Sequence, residues 1–342
     1  YDIEGRQAGM KVSALAVHVQ AEQLTLETIR AYLDIISNNK LVELAEKNVD
    51  DHNKRLELVQ KRVDQQVASK ADVSQAAARV TSAAAELYRA EGALIDAETF
   101  YKDVVGIEPR NMDEPEVPHD IALAGLAQLI AEAMNHNPSI DEANAQIVEA
   151  EADKKAALAP FFPSVGLSLA MERNRNTSGT PDDSESYAAM VEVSYNLING
   201  GSDLHYMREL KHTHEQAKAN LVSVRRKVSK DVRGARSTWD VSKARRETFE
   251  IQAKQYLKVR DAFERQYNVG KRTLLDLLDI ESELFKANSN VITERYREAF
   301  GIFYILSTQG KLLETIGVDL PKGAKTSPVT FRETLGLATK GR

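Results

Sequence analysis

Two stretches of this chain run for roughly sixty residues with helical patterning and no proline, which limits the folds open to it more than any other feature. From Ile3 to Val63 the apolar positions keep a heptad-like spacing: Val12, Leu15, Val19, Leu26, Ile29, Leu33 and Ile36, then after a phase shift Leu41, Leu44, Leu56, Val59 and Val63. Sixty helical residues span roughly 90 Å. A globular core cannot bury so long an element, so it needs a partner of similar length.

That partner follows at once. Between Asp72 and Val105 the residues Val73, Val80, Leu87, Leu94 and Tyr101 recur every seventh position, and Ala77, Ala84 and Ala97 offer a second seam where small side chains let helices approach. Joined through VASKAD, residues 67–72, the two helices form a long antiparallel coiled-coil hairpin. A second hairpin is expected from about Ser202, with seams Leu210/Ala217/Val224, Leu221/Val228/Ala235 and Phe249/Tyr256/Phe263, and a return helix from Thr273 to about Ile316 carrying Leu277, Leu284 and Val291. Its turn lies within YNVGKRTLLDLLDIESEL, residues 267–284. There Gly270 tolerates positive φ, and Thr273 is placed to cap the return helix with Asp276 three residues on.

The hairpins match when shifted by 202 to 204 residues: Thr28-Ile29-Arg30 falls on Asp231-Val232-Arg233, Val67 on Val269, and Asp72-Val73 on Asp276-Leu277. The chain is therefore read as a duplication. Between the copies, residues 106–160 form a proline-containing link with shorter helices, one of them stopping at Asn137-Pro138. The period then changes to two. Val165, Leu167, Leu169 and Met171 alternate with small or polar residues, as do Ala189, Val191, Val193, Tyr195 and Leu197, with the polar NRNTSGTPDDSES as the loop between two strands. Each strand has about ten residues, the length a tilted strand needs to cross a bilayer. A soluble half-buried hairpin gives the same alternation, so both readings stand. In lipid, a lone strand pair would leave backbone groups unpaired at its edges, so a membrane reading requires several chains to pool their strands. The expected segments are a first hairpin over 1–105 with its tip near 67–72, the link over 106–160, the β-hairpin over 161–199, the second helical hairpin over 200–316 with its tip near 268–273, and a loose tail over 317–342. No strand pair precedes the first hairpin, which implies that an equivalent pair has been lost or lies outside the sequence.

Composition removes other classes. The net charge of −6 and the absence of a basic stripe argue against a nucleic-acid binder. There are no cysteines, hence no disulfides or thiolate metal sites, and no apolar run of eighteen residues, hence no transmembrane helix. The opening YDIEGRQAGM has no signal pattern and starts in what reads as helix, so an upstream piece is expected. His212 and His214 are two apart and do not share a helix face, and His205 is two turns away; no metal site is expected. No Ser/His/Asp arrangement, phosphate loop or HExxH is present, so neither an enzyme nor a cofactor is expected. The basic runs at Arg225-Arg226-Lys227 and Arg245-Arg246 read as solvated helix faces, and Trp239 and Phe249 as packing between helices.

Four places resemble the TolC-type outer-membrane channels that serve type I secretion and efflux in Gram-negative bacteria: HNPSI (136–140) with APFFPSVGLSL (159–169), VSYNLINGG (193–201), ADVSQAAARV (71–80) and YNVGKRTLLDLLDIESEL. The resemblance covers residues 1 to about 316. It implies a mainly α chain with a small β part, in which two long helical hairpins build an α-barrel and a transmembrane β-hairpin joins a trimeric β-barrel. It implies a homotrimer in outer-membrane lipid, working with a periplasmic adaptor and an inner-membrane transporter, either ABC-type or proton-driven. Carried over by position, Tyr267 and Arg272 would hold the second tip inward with Asp72 as partner, and Asp276 and Asp279 would form acidic rings in the lumen. Asp276 and Asp279 are i and i+3 and share a helix face, yet from the residues alone Asp276 reads equally well as a helix cap. The chain departs from the family in showing two strands where each subunit supplies four, and in having Ala71 where a hydroxyl residue often precedes the first-tip aspartate. Two other readings remain: a non-membrane coiled-coil scaffold, which leaves the strand pair unexplained, and an adaptor, which would carry one hairpin instead of two.

Overall fold

The computed structural model describes residues 2–120, 124–175 and 183–320. In chain order its elements are α1 (Asp2–Asp64), α2 (Lys70–Val105), α3 (Leu126–His136), α4 (Pro138–Ala156), a short 3₁₀ turn (Ala159–Phe161), β1 (Ser164–Arg175), β2 (Asp183–Ser194), α5 (Ser202–Asn268), α6 (Leu274–Gln309) and α7 (Leu312–Ile316). The fold is mainly helical with one small antiparallel sheet, as the periodicities require. The proposed 317–342 tail lies outside the described residues from position 321 onward.

The chain divides into two compact units. One contains His18–Asn137 and Arg226–Pro321, and so most of α1 and α5 together with α2, α3, α6 and α7. Its cores are strings of apolar side chains between helices. Leu33, Ile36, Tyr296, Ala299, Phe303, Leu306 and Leu312 form one cluster. Val59, Ala76, Tyr267, Leu274, Leu277 and Leu278 form another beside the helix turns. On α2 the most deeply buried residues are Ala76, Ala83 and Ala97, whereas Val73 and Val80 are only half-buried. The small-residue seam therefore sits one position before the expected Ala77 and Ala84. Where backbones come close, the residue facing the partner helix directly must be small, and the larger side chains flank it. The backbones of α5 and α6 come close at Gly301, where an added methyl group would lie 3.0 Å from the Cα of Trp239. Trp239 is buried there with Arg236 and Lys243 over its ring at 4.8 and 5.0 Å.

The expected helix through to Ile316 is broken. Gly310, at φ 69°, ends α6 with its N–H bonded to Leu306 and Ser307 carbonyls, and α7 starts afresh. The carboxylate of Glu22, buried in this unit, accepts the Leu313 N–H at 3.4 Å, so a side chain from α1 caps α7. Burial of Glu22 pushes its carboxyl up to about 7, against the partial relief of the Leu313 and Leu312 N–H groups.

The other unit contains the first turns of α1, α4, the sheet and α5 up to Arg225. In α4, Pro138 takes the first helical position, where its missing N–H costs nothing, so the helix starts at the proline. Gly5 and Gly9 of α1 face Asp153 and Glu149 of α4, and His214 of α5, also buried, lies 3.3 Å from Glu151.

The strands β1 and β2 pair along their full length, from Ser164↔Ser194 to Arg175↔Asp183. One face pairs Val165 with Val193, Leu167 with Val191, Leu169 with Ala189 and Met171 with Tyr187, closing with an Arg173–Glu185 ion pair at 3.0 Å. The opposite face pairs Gly166 with Glu192, Ser168 with Met190 and Ala170 with Ala188. Both strand ends differ from expectation. Asn174, Arg175 and residues 183–186, assigned to the loop by their polarity, continue the ladder, because backbone pairing does not require apolar side chains; residues 176–182 of that loop lie outside the described residues. At the other end β2 stops at Ser194, short of Tyr195 and Leu197, because the facing chain reaches Pro163, which has no N–H to continue the ladder.

Candidate functional site: the helix turns

The two turns are built from the same bonds 204 residues apart. After α1, the N–H groups of Gln66 and Val67 donate to Val63 and Arg62 carbonyls, each at 2.9 Å. After α5, those of Gly270 and Lys271 donate to Tyr267 and Gln266, at 3.0 and 2.8 Å. Gln66 and Gly270 hold the left-handed residue of each reversal, at φ 61° and 71°. Ser69 then caps α2 and Thr273 caps α6; each hydroxyl accepts from the N–H three residues on, and the aspartate there, Asp72 or Asp276, accepts the cap residue's own N–H. The structural counterpart of Val67 is thus Lys271 and not Val269, and Tyr267 corresponds to Val63. Ser69, which sequence reasoning passed over in favour of the missing hydroxyl at position 71, was legible as the first member of Ser-x-x-Asp.

Around this scaffold lie the site residues read from the sequence. Asp276 is the partner of Thr273, whose hydroxyl donates to Oδ2 at 2.7 Å; that bond, the Thr273 N–H and the nearby Arg272 hold its carboxyl below the usual aspartate range. Arg272 lies over the Phe263 ring at 4.1 Å, donates from Nε to Gln266 Oε1 at 3.1 Å and stands 3.7 Å from Asp276. Tyr267 is buried in the apolar cluster, with the Arg62 guanidinium 4.4 Å above its ring. Asp279 pairs with Arg79 of α2. The chain does not bring all of these together: among the described residues no hydrogen bond or ion pair joins Asp72 to Tyr267 or Arg272.

Three arginines that the sequence did not single out make the links between the hairpins. Arg62 donates to Asn268 Oδ1 at 3.1 Å as well as covering Tyr267. Arg79 reaches Asp279, and Arg55 donates from Nη2 to Glu281 at 2.8 Å and Glu264 at 3.1 Å. Their partners lie some two hundred residues away, and no local pattern encodes such pairs. Among the described residues no cluster of His, Asp and Glu could hold a metal, and no helix is long and apolar enough to cross a membrane.

Paired long helices with duplicated turns, continued into a strand pair whose one face is apolar up to the Arg173–Glu185 ion pair, define a mainly helical class of fold built on hairpins with one small antiparallel sheet. Residues 129–298, just under half of the chain, match the model of the outer membrane efflux protein family. It is 24% identical over 293 residues to the outer membrane efflux protein BepC of Brucella suis, covering 85% of this chain and 64% of that protein. It is also 24% identical over 269 residues to the outer membrane protein TolC of Vibrio cholerae, covering 75% of this chain and 60% of that one. The chain thus spans less than two thirds of the length of either relative. Among solved structures, a membrane protein from Pseudomonas aeruginosa superposes with a TM-score of 0.80 at 18% identity, covering 95% of this chain and 73% of that one. The Campylobacter jejuni CmeC outer membrane channel does so with a TM-score of 0.75 at 13% identity, covering 96% and 71%. These likenesses establish the fold.

Proposed function

We propose that this chain is a subunit of a passive outer-membrane duct, with its strands in lipid and its long helices in the periplasm. The observation that carries the reading is the strand pair. One face bears eight apolar side chains in four cross-strand pairs, with Val165, Leu167, Leu169, Met171, Val191 and Val193 all more than 60% exposed, and the other face is small or polar apart from Met190. Water penalises such a face and hydrocarbon does not. Both strands have free edges, so a barrel needs several chains; we assign a homotrimer on the family resemblance. The duct would act with a periplasmic adaptor and an inner-membrane transporter that supplies the energy, exporting small molecules by efflux or proteins by type I secretion. Tyr267, Arg272 and Asp72 are proposed to hold the tips closed, on turns set by Gly270 and Thr273, and Asp276 and Asp279 to line the opening.

Single-channel recording of the full-length gene product in planar bilayers tests the reading. Discrete conductance steps are expected. No conductance from a protein that light scattering finds monomeric in detergent would overturn it.

A further inference from the structure

Away from the turns, four helices meet around one buried histidine. His52 of α1 is 4% exposed, and its Nδ1 has no hydrogen-bond partner among the described residues. The nearest ionisable oxygen is Oε2 of Glu281 on α6, at 3.9 Å, too far for a hydrogen bond but close for a charge. Glu281 gives its other oxygen to Arg55, one turn along α1 from His52, and Arg55 also binds Glu264 of α5. The Arg55 Nε is likewise buried and unpartnered. Beyond this core, Asp51 of α1, Arg79 of α2 and Arg260 of α5 are the other charges acting on the pair. His52 lines two cavities of about 620 and 710 Å³, one walled by α1, α2 and α6 and the other by α1, α5 and α6.

We propose that His52, with Glu281 and Arg55, forms a proton-sensitive joint that holds α1 against α5 and α6 at neutral pH and loosens in mild acid. In the packed arrangement a proton has two places to go, and each disturbs the joint. On Glu281 it neutralises the acceptor of Arg55 and breaks the tie from α1 to α6. On His52 it creates a buried cation beside Arg55 and Arg79, with Glu281 and Asp51 as its counter-charges. When the helices part and water enters, the ring is free to bind its proton at the ordinary value.

The electrostatics follow the same direction. Burial, then Arg79 and Arg55, holds His52 below its usual 6.5, while burial raises Glu281 above 4.5 against the pull of Arg55. A depressed histidine contributes stability that is present above 6.5 and lost as pH falls through its folded value. A raised carboxyl has the opposite sign: its contribution is complete below 4.5 and lost as pH rises through its folded value. At His52, therefore, the separated helices bind a proton more readily than the packed ones as pH drops past 6.5. The joint's bearing on gating rests on the channel reading given above. Its existence does not.

Hydrogen exchange on the detergent-solubilised protein, corrected for intrinsic rates, tests this without any conduction assay. The opening constant of residues 44–60 and 278–290 is expected to rise severalfold between pH 7.5 and 5.5. His52→Gln, which cannot take the proton, is expected to remove that rise. Equal opening at both pH values in the wild type, or the full rise persisting in His52→Gln, overturns the proposal. If the variant does not fold, the His52 ring can be titrated by NMR in the wild-type protein. A midpoint below 6.5 is expected, and one at or above 6.5 overturns the proposal.

Discussion

At Gln66 the chain takes a left-handed turn, φ 61°, with a side chain that has no steric reason to be there. Its counterpart 204 residues on is Gly270, which adopts the same conformation at little cost. Gln66→Gly is therefore expected to stabilise the protein by about 0.5–1 kcal/mol, read as a rise in thermal midpoint, whereas Gly270→Gln should cost a similar amount. A second single-residue effect belongs to Glu22. With its carboxyl raised to about 7, the neutral form is the one the fold prefers; the stability it contributes is complete below about 4.5 and lost as pH rises through 7. Glu22→Gln should match the wild type near pH 4 and exceed it at pH 8 by about 1–3 kcal/mol. A variant less stable than the wild type at pH 8 would refute this.

Among elements, what the sequence made legible is what repeats locally. Heptads announced the helices and alternation announced the strands, because both periods follow from the geometry of a single element. Contacts between elements were less readable. The alanine seam on α2 could be placed only to within one residue, since Ala76/Ala83 and Ala77/Ala84 both recur by seven and the choice depends on the facing helix. The end of β2 at Ser194 depended on Pro163, which acts across the ladder and not along it. At the turns, the acids, Gly270 and Thr273 were visible as residues, and the cap made by Thr273 and Asp276 was readable. The arginines that reach them from the other hairpin were not. Glycines inside the helices separate local from tertiary effects. Gly234 of α5 has open space where a methyl would go, so Gly234→Ala should stabilise by about 0.5–1 kcal/mol through helix propensity alone. Gly301→Ala, pressed on the Trp239 backbone at 3.0 Å, should instead destabilise by about 1–2 kcal/mol. The contrast in sign is the test, and thermal unfolding followed by circular dichroism measures it.

For the molecule as a whole, duplication gave two turns of one design and left them with different surroundings. Asp72 and Asp276 share a capping role, but only the second has Arg272 and a neighbouring acid, Asp279, tied to Arg79. If the acids of the second turn line an opening, Asp276→Ala with Asp279→Ala should move the reversal potential in a potassium chloride gradient toward zero, reducing cation preference. An unchanged reversal potential would leave these carboxylates to helix capping and to Arg79. Arg272→Ala should raise the basal open probability if it secures the turn. One feature also serves the experimenter. Trp239 is the sole indole in the sequence, buried where α5 and α6 come close and flanked by two cations. Its fluorescence therefore originates from a single place, and a red shift in emission would signal that those two helices have let water in, with no label attached.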